Sequence, residues 1–186
     1  PPGMNEKCRR PADAEAIRER KRAELGLNKD QLMLILVGSD FHRKGGDRAI
    51  LALAALMQDI RRKTMLYLVG KTSFQHCSSL AKQLKISTNI IFAGGRMDVP
   101  ELLLAADLMI HPARDEATGT VLIEGIAAGL PVLCSEECGF SNFVREASGL
   151  VVPKDAPQSV LNAMLADALQ RLPELAERTR RYAETA

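Results

Sequence analysis

A doubly wound, Rossmann-like parallel α/β sheet is the fold this sequence predicts. The prediction rests on apolar runs too short to be helices, glycines that close them, and helical segments in between. The runs LMLILV at 32–37 and MLYLV at 65–69 are closed by Gly38 and Gly70 and do not alternate with polar residues. Strands of that kind are buried on both faces, as in a parallel sheet with helices on each side. Strand–helix alternation along the whole chain gives the layer order.

Taken in order, residues 13–25 are rich in helix formers, with Ile17 and Leu25 as sparse apolar positions and Gly26 as a stop. The first strand, 32–37, is followed by a helix over 50–57 and the second strand, 65–69. A helix over 74–84 leads to a strand at 90–93, and a short helix over 99–106 leads to one at 108–110. A helix over 119–128 stops at Gly129, and PVLC at 131–134 forms the fifth strand. The short strand 150–152 precedes helices over 158–172 and from 174 to the end.

The chain has 186 residues, 46% of them hydrophobic and 26% charged, as expected of one globular domain with or without a tail. A formal charge of +2, no Trp, two Tyr and five Phe argue against a nucleic-acid partner. Cys8, Cys77, Cys134 and Cys138 have no zinc-type spacing and are expected to be reduced thiols of a cytosolic protein. No signal peptide is visible, and no apolar run approaches the roughly 20 residues that cross a bilayer. Beginning at Pro-Pro-Gly without Met, the chain is expected to be a piece of something longer.

Ligands in open parallel sheets bind beyond the carboxyl ends of the strands, so the segments after each strand matter most. After the first comes GSDFHRKGGD at 38–47, a glycine-bounded loop in which Arg43 and Lys44 could neutralise a diphosphate. It lacks the glycine order of a dinucleotide turn and the G-K-[ST] ending of a P-loop. After the third comes GGRMD at 94–98, where Gly95 lets a planar ligand approach the backbone and Arg96 could lie against a base. His111 follows the fourth strand and is expected to fix a loop before Pro112 rather than act as a base. The segment 134–140, after the fifth, is expected to wall the same crevice.

The most informative stretch is Glu116-Ala-Thr-Gly-Thr-Val-Leu-Ile-Glu124. It places one carboxylate on a loop, Gly119 at a helix start and the second carboxylate two turns into the helix. Backbone N–H groups at a helix N-terminus attract phosphate, and ionised carboxylates accept hydrogen bonds from sugar hydroxyls. One element could thus hold a nucleotide diphosphate sugar at three points.

The GSDFHRKG loop, the G-G-R-x-D turn, ADLMIHP at 106–112, the E-x7-E element and AGLPV at 128–132 together resemble the retaining glycosyltransferases of family 4. The resemblance covers nearly the whole chain and implies the carboxyl-terminal, donor-binding half of a GT-B fold, with the amino-terminal acceptor domain outside this chain. Pro1-Pro2-Gly3, Ser39-Asp40-Phe41 and Arg43-Lys44-Gly45 are similar to the branch that builds bacterial lipopolysaccharide core. That branch implies transfer of glucose from UDP-glucose to a heptose of the inner core.

The resemblance puts Arg43 and Lys44 on the donor diphosphate, Glu116 on hexose hydroxyls and Glu124 on the ribose. It puts Gly119 and Thr120 where amides meet phosphate, and Gly95 and Arg96 under the base. The implied donor-binding set is Gly38, Ser39, Arg43, Lys44, Gly95, Arg96, Glu116, Ala117, Thr118, Gly119, Thr120 and Glu124, with Arg43, Lys44 and Glu116 as its catalytic members. Thr118 departs from the Phe of many relatives, which bears on sugar selectivity. Arg9 or Arg10 stands near the position of a further phosphate contact. The implied reaction retains configuration and uses neither metal nor cofactor. The implied location is cytoplasmic, peripheral on the inner membrane through the other half, and the fragment alone is expected to be inactive. Two other classes stay open: a hydrolase using the two glutamates, told apart by a trapped glycosyl-enzyme, and a non-catalytic nucleotide-sugar binding module, told apart by turnover of the full-length protein. The basic segment 18–22 is expected to be a solvated face rather than a lipid contact.

Overall fold

The computed structural model describes residues 4–185, so the Pro1-Pro2-Gly3 resemblance lies outside the described residues. Six strands form one sheet: β1 (Leu32–Val37), β2 (Thr64–Val69), β3 (Ile90–Gly94), β4 (Leu108–His111), β5 (Val132–Ser135) and β6 (Leu150–Val152). All neighbours are parallel, in the spatial order β3-β2-β1-β4-β5-β6. The order reverses between β1 and β4, paired through Leu34↔Leu108 and Ile35↔Met109, and the loops leaving those two strands part to open a crevice.

The apolar runs are buried as expected. Met33 and Ile35 point into one core, against α1 (Ala14–Glu24), α5 (Val99–Ala105), α6 (Thr120–Ala127) and α7 (Ser141–Glu146). Leu34 and Leu36 point into the other, against α2 (Gly46–Ala55), α4 (Gln75–Gln83) and α8 (Gln158–Gln170). All four side chains are fully buried, and truncating one Leu or Ile to Ala at such a position costs about 2–5 kcal/mol. The last helix, α9 (Leu172–Thr185), joins the two layers, with Leu175 in the second core and Tyr182 packed on the first.

Several elements differ from the sequence expectation. Helix α2 begins at Gly46 rather than residue 50, because the Gly-Gly pair forms the helix entry instead of a loop. The six-residue helices α3 (Gln58–Lys63) and α7 are additional; α3 buries none of its residues and so leaves no periodic pattern. Short 3-10 turns at Glu6–Cys8 and Ser87–Asn89 were equally invisible.

The basic helix α1 is solvated at Arg20, but Arg18, Lys21 and Arg22 are turned inward. Arg18 donates to the carbonyls of Leu104, Ala105 and Ala106 at the end of α5, and to Asp107. Arg22 donates to Ala105 O and to Asp107, whose carboxylate also accepts the Met33 N–H at 2.7 Å. Lys21 is buried among Glu24, Asp98 and Glu101. Cationic side chains at a helix C-terminus satisfy carbonyls that have no partner within the helix, so α1 docks by charge where its apolar residues are sparse.

Gly45 is one of the tightest points of the fold. It sits at φ +73°, and a Cβ there would lie 2.0 Å from the Pro112 carbonyl oxygen. The left-handed backbone alone costs an L side chain about 1–2 kcal/mol. Gly45→Ala is therefore expected to lower stability by on the order of 3 kcal/mol, measured by denaturant unfolding; a loss under about 1 kcal/mol would show that the two loops part easily.

Candidate functional site

The crevice at the β1/β4 reversal is a cleft of about 270 Å³ lined by Val37, Gly38, Ser39, Lys44, His111, Glu116, Thr118, Gly119, Thr120, Val121 and Glu124. Of the residues expected from sequence, Gly38, Ser39, Lys44, Glu116, Thr118, Gly119, Thr120 and Glu124 meet here. Arg43, Gly95, Arg96 and Ala117 are not in its lining.

Two backbone features build the cleft. The loop after β1 turns back so that Lys44 N–H donates to the Asp40 carbonyl and Gly46 N–H to that of Phe41, which directs Lys44 inward. The loop after β4 ends at Gly119, whose φ of +83° turns the chain into α6. No side chain caps α6, and its first turn holds no acidic residue. Amides of Gly119, Thr120 and Val121 therefore face the cleft with the positive end of the helix dipole behind them.

The charges are arranged around that helix mouth. Lys44 and Glu116 are both buried and form an ion pair across the cleft. Burial holds the Lys44 amine below its usual range, and the adjacent Arg43 charge adds to this. Glu124 lies further along α6; burial raises its carboxyl above the ordinary value, opposed by a hydrogen bond from Asn5 N–H to Oε1 at 3.2 Å. Among the described residues its second oxygen has no hydrogen-bond donor. Sequence carried no signal for the Asn5 contact, which comes from a backbone amide far away in the chain.

His111 is fully buried, and among the described residues neither ring nitrogen has a hydrogen-bond partner; Nε2 lies 3.5 Å from Glu116 Oε2. Burial, with the Lys44 charge nearby, lowers its pKa to about 3. A neutral imidazole makes His111 a poor proton acceptor, and its unpartnered ring nitrogens give no sign of the expected hydrogen-bonded tie to the loop before Pro112.

The remaining expectations are placed elsewhere. Arg43 is half exposed, 3.7 Å from Asp40 at the rim. Arg96 is held by Asp98 at 2.8 and 2.6 Å. The 134–140 segment buttresses the cleft from behind: Glu116 bridges to Cys138, Gly139 N–H donates to Glu116 O and Phe140 N–H to Thr118 O. Arg10 lies at the opposite end of the sheet, its backbone N–H on Ala127 O and its guanidinium on Ala128 O and Glu15. There it lines a second cleft of about 190 Å³ with Arg18 and Arg180. Arg9 pairs with Glu6. All four cysteines are free and buried, and no described helix is long and apolar enough to cross a membrane.

The chain is similar to known proteins over its whole length. Residues 17–186 match the model of the family described as glycosyl transferases group 1. The chain is 41% identical over 189 residues to the lipopolysaccharide glucosyltransferase WaaG of Escherichia coli (strain K12), covering 100% of this chain and 50% of that protein. It is 35% identical over 164 residues to a D-inositol 3-phosphate glycosyltransferase of Nocardia farcinica, covering 82% of this chain and 35% of the relative. A crystal structure of WaaG superposes with a TM-score of 0.94 at 40% identity, over 100% of this chain and 51% of WaaG. The chain thus spans half the length of WaaG, or less of the other relative.

The buried histidine yields a pH prediction. An unfolded His111 takes up a proton below its ordinary value of 6.5, whereas the folded one waits until about 3. Its contribution to stability is complete above 6.5 and is lost as pH falls, by about 1.4 kcal/mol per unit. Between about pH 6 and pH 4, unfolding free energy should fall more steeply in the wild type than in His111→Gln by that slope. Equal slopes would mean that the imidazole is protonated in the fold.

Proposed function

This chain belongs to the group 1 glycosyltransferases, and from that premise we propose that it is the donor-binding half of a retaining enzyme. The enzyme moves glucose from UDP-glucose to a heptose of the lipopolysaccharide inner core. One observation carries this reading: the uncapped α6 N-terminus, Lys44, Glu116 and Glu124 converge on one cleft. The likeness to WaaG supports the choice of donor and acceptor.

In this assignment Glu124 accepts hydrogen bonds from the ribose, and the α6 amides with Lys44 take the diphosphate. Glu116 accepts from hexose hydroxyls. The Lys44–Glu116 pair opens as donor enters, Lys44 turning to the phosphate nearer the sugar and Glu116 to the hexose. The acceptor hydroxyl attacks the anomeric carbon on the face the diphosphate leaves. The C–O bond to phosphate breaks with its electrons, and the departing phosphate takes the acceptor's proton. Charge that grows on the leaving group is met by Lys44 and the helix N-terminus, a preorganised arrangement in which one donor is worth about 2–4 kcal/mol. Arg43, at the rim, adds attraction for the anion. No metal is required by this assignment. The acceptor domain and any contact with the membrane are assigned to the half of the relatives outside this chain.

Calorimetric titration of the chain with UDP-glucose in excess EDTA tests the proposal. Saturable binding is expected, weakened at least tenfold by Lys44→Ala and by Glu124→Ala, since hydrogen bonds to charged groups are worth about 1.5–3 kcal/mol. Preference for GDP-mannose or ADP-glucose, or binding indifferent to both substitutions, would contradict it.

A further inference from the structure

We infer that Arg114 is a positioning residue of the donor site, acting through Asp47 to hold Lys44 opposite Glu116. The inference rests on the donor-site assignment above.

Arg114 follows β4, two residues before Glu116, yet its bonds go to the other loop. Its backbone N–H donates to the Arg43 carbonyl at 2.8 Å. Nη1 donates to the His42 carbonyl at 2.7 Å and to Asp47 Oδ1 at 2.8 Å, and Nη2 to Asp47 Oδ2 at 2.7 Å. The partners lie on both sides of Lys44 in sequence: His42 and Arg43 before it, and Asp47 in the first turn of α2 after it. Lys44 is therefore carried on a backbone span clamped at each end by one guanidinium. Arg114 is not in the cleft lining, so it does not touch the donor itself and acts through the backbone it ties down.

The pair is built for rigidity. Asp47 is 9% exposed. Burial would raise its carboxyl, but the hydrogen bonds and charge of Arg114 overcome this and hold it below the usual range. A planar guanidinium meeting a carboxylate at two points fixes orientation as well as distance, which a lysine would not. Such positioning matters because the α6 amides stay in place on the helix whatever the first loop does, whereas Lys44 reaches the phosphate only if its backbone is held.

The assignment puts Lys44 on the phosphate nearer the sugar, which UDP has and UMP lacks. Titrating the chain with both nucleotides separates positioning from general damage. Arg114→Met is expected to weaken UDP binding at least tenfold and UMP binding less than threefold. Asp47→Asn, which keeps the shape and an acceptor, should do the same to a smaller degree, and the double variant should lose no more than Arg114→Met alone. Equal UDP affinity in all variants overturns the inference. UDP and UMP weakened together, alongside a lower melting temperature, would mean a structural tie only and also overturn it. If wild-type chain binds neither nucleotide, the donor-site assignment itself falls and this inference with it.

Discussion

Strands β1 and β4 are neighbours in the sheet but far apart in the chain, and the loops that follow them meet at Gly45 and Pro112. Backbone approaches backbone there without room for a single methyl group. Arg114 reinforces the contact from the β4 side, and the sheet register beneath it is set by Leu34↔Leu108. From this junction the loops diverge, and the crevice they leave receives Lys44 from one side and Glu116 from the other. Without the close approach the two charges would belong to separate surface loops, each well solvated.

The electrostatics of the crevice follow from burial. An amine and a carboxylate taken out of water lose several kcal/mol of hydration each, regained only by close pairing. The pairing of Lys44 with Glu116 supplies that. An anionic ligand offers Lys44 another partner and, through its hydroxyls, offers Glu116 one as well. The α6 N-terminus, with no side-chain cap and no acidic residue in its first turn, adds a positive potential. Neutral His111 beneath them contributes no competing charge.

The sheet was legible because parallel strands buried on both faces leave uninterrupted apolar runs, and each run here became a strand. The α6 half of the site was legible for a related reason: Glu116, Gly119, Thr120 and Glu124 are local in sequence, and their spacing alone sets their geometry. Contacts joining distant segments were not. Nothing near Arg114 announces Asp47, because ion pairing between loops depends on which loops the fold brings together, whereas Asp98, which holds Arg96, stands only two residues away in the same turn. Helix α1 misled for the same reason, since Arg18 and Arg22 look solvated until the carbonyl end of α5 is placed beside them. Helices α3 and α7 are too short to show a period, and α2 hid its first turn behind two glycines.

A crystal structure of the chain with UDP bound would show whether the α6 mouth receives the donor. Expected are the diphosphate at the Gly119–Thr120 amides, Lys44 Nζ withdrawn from Glu116 and within about 3 Å of the phosphate that would carry the sugar, and the ribose on Glu124. A diphosphate bound away from α6, or one bound there with the Lys44–Glu116 pair intact, would contradict the donor-site assignment.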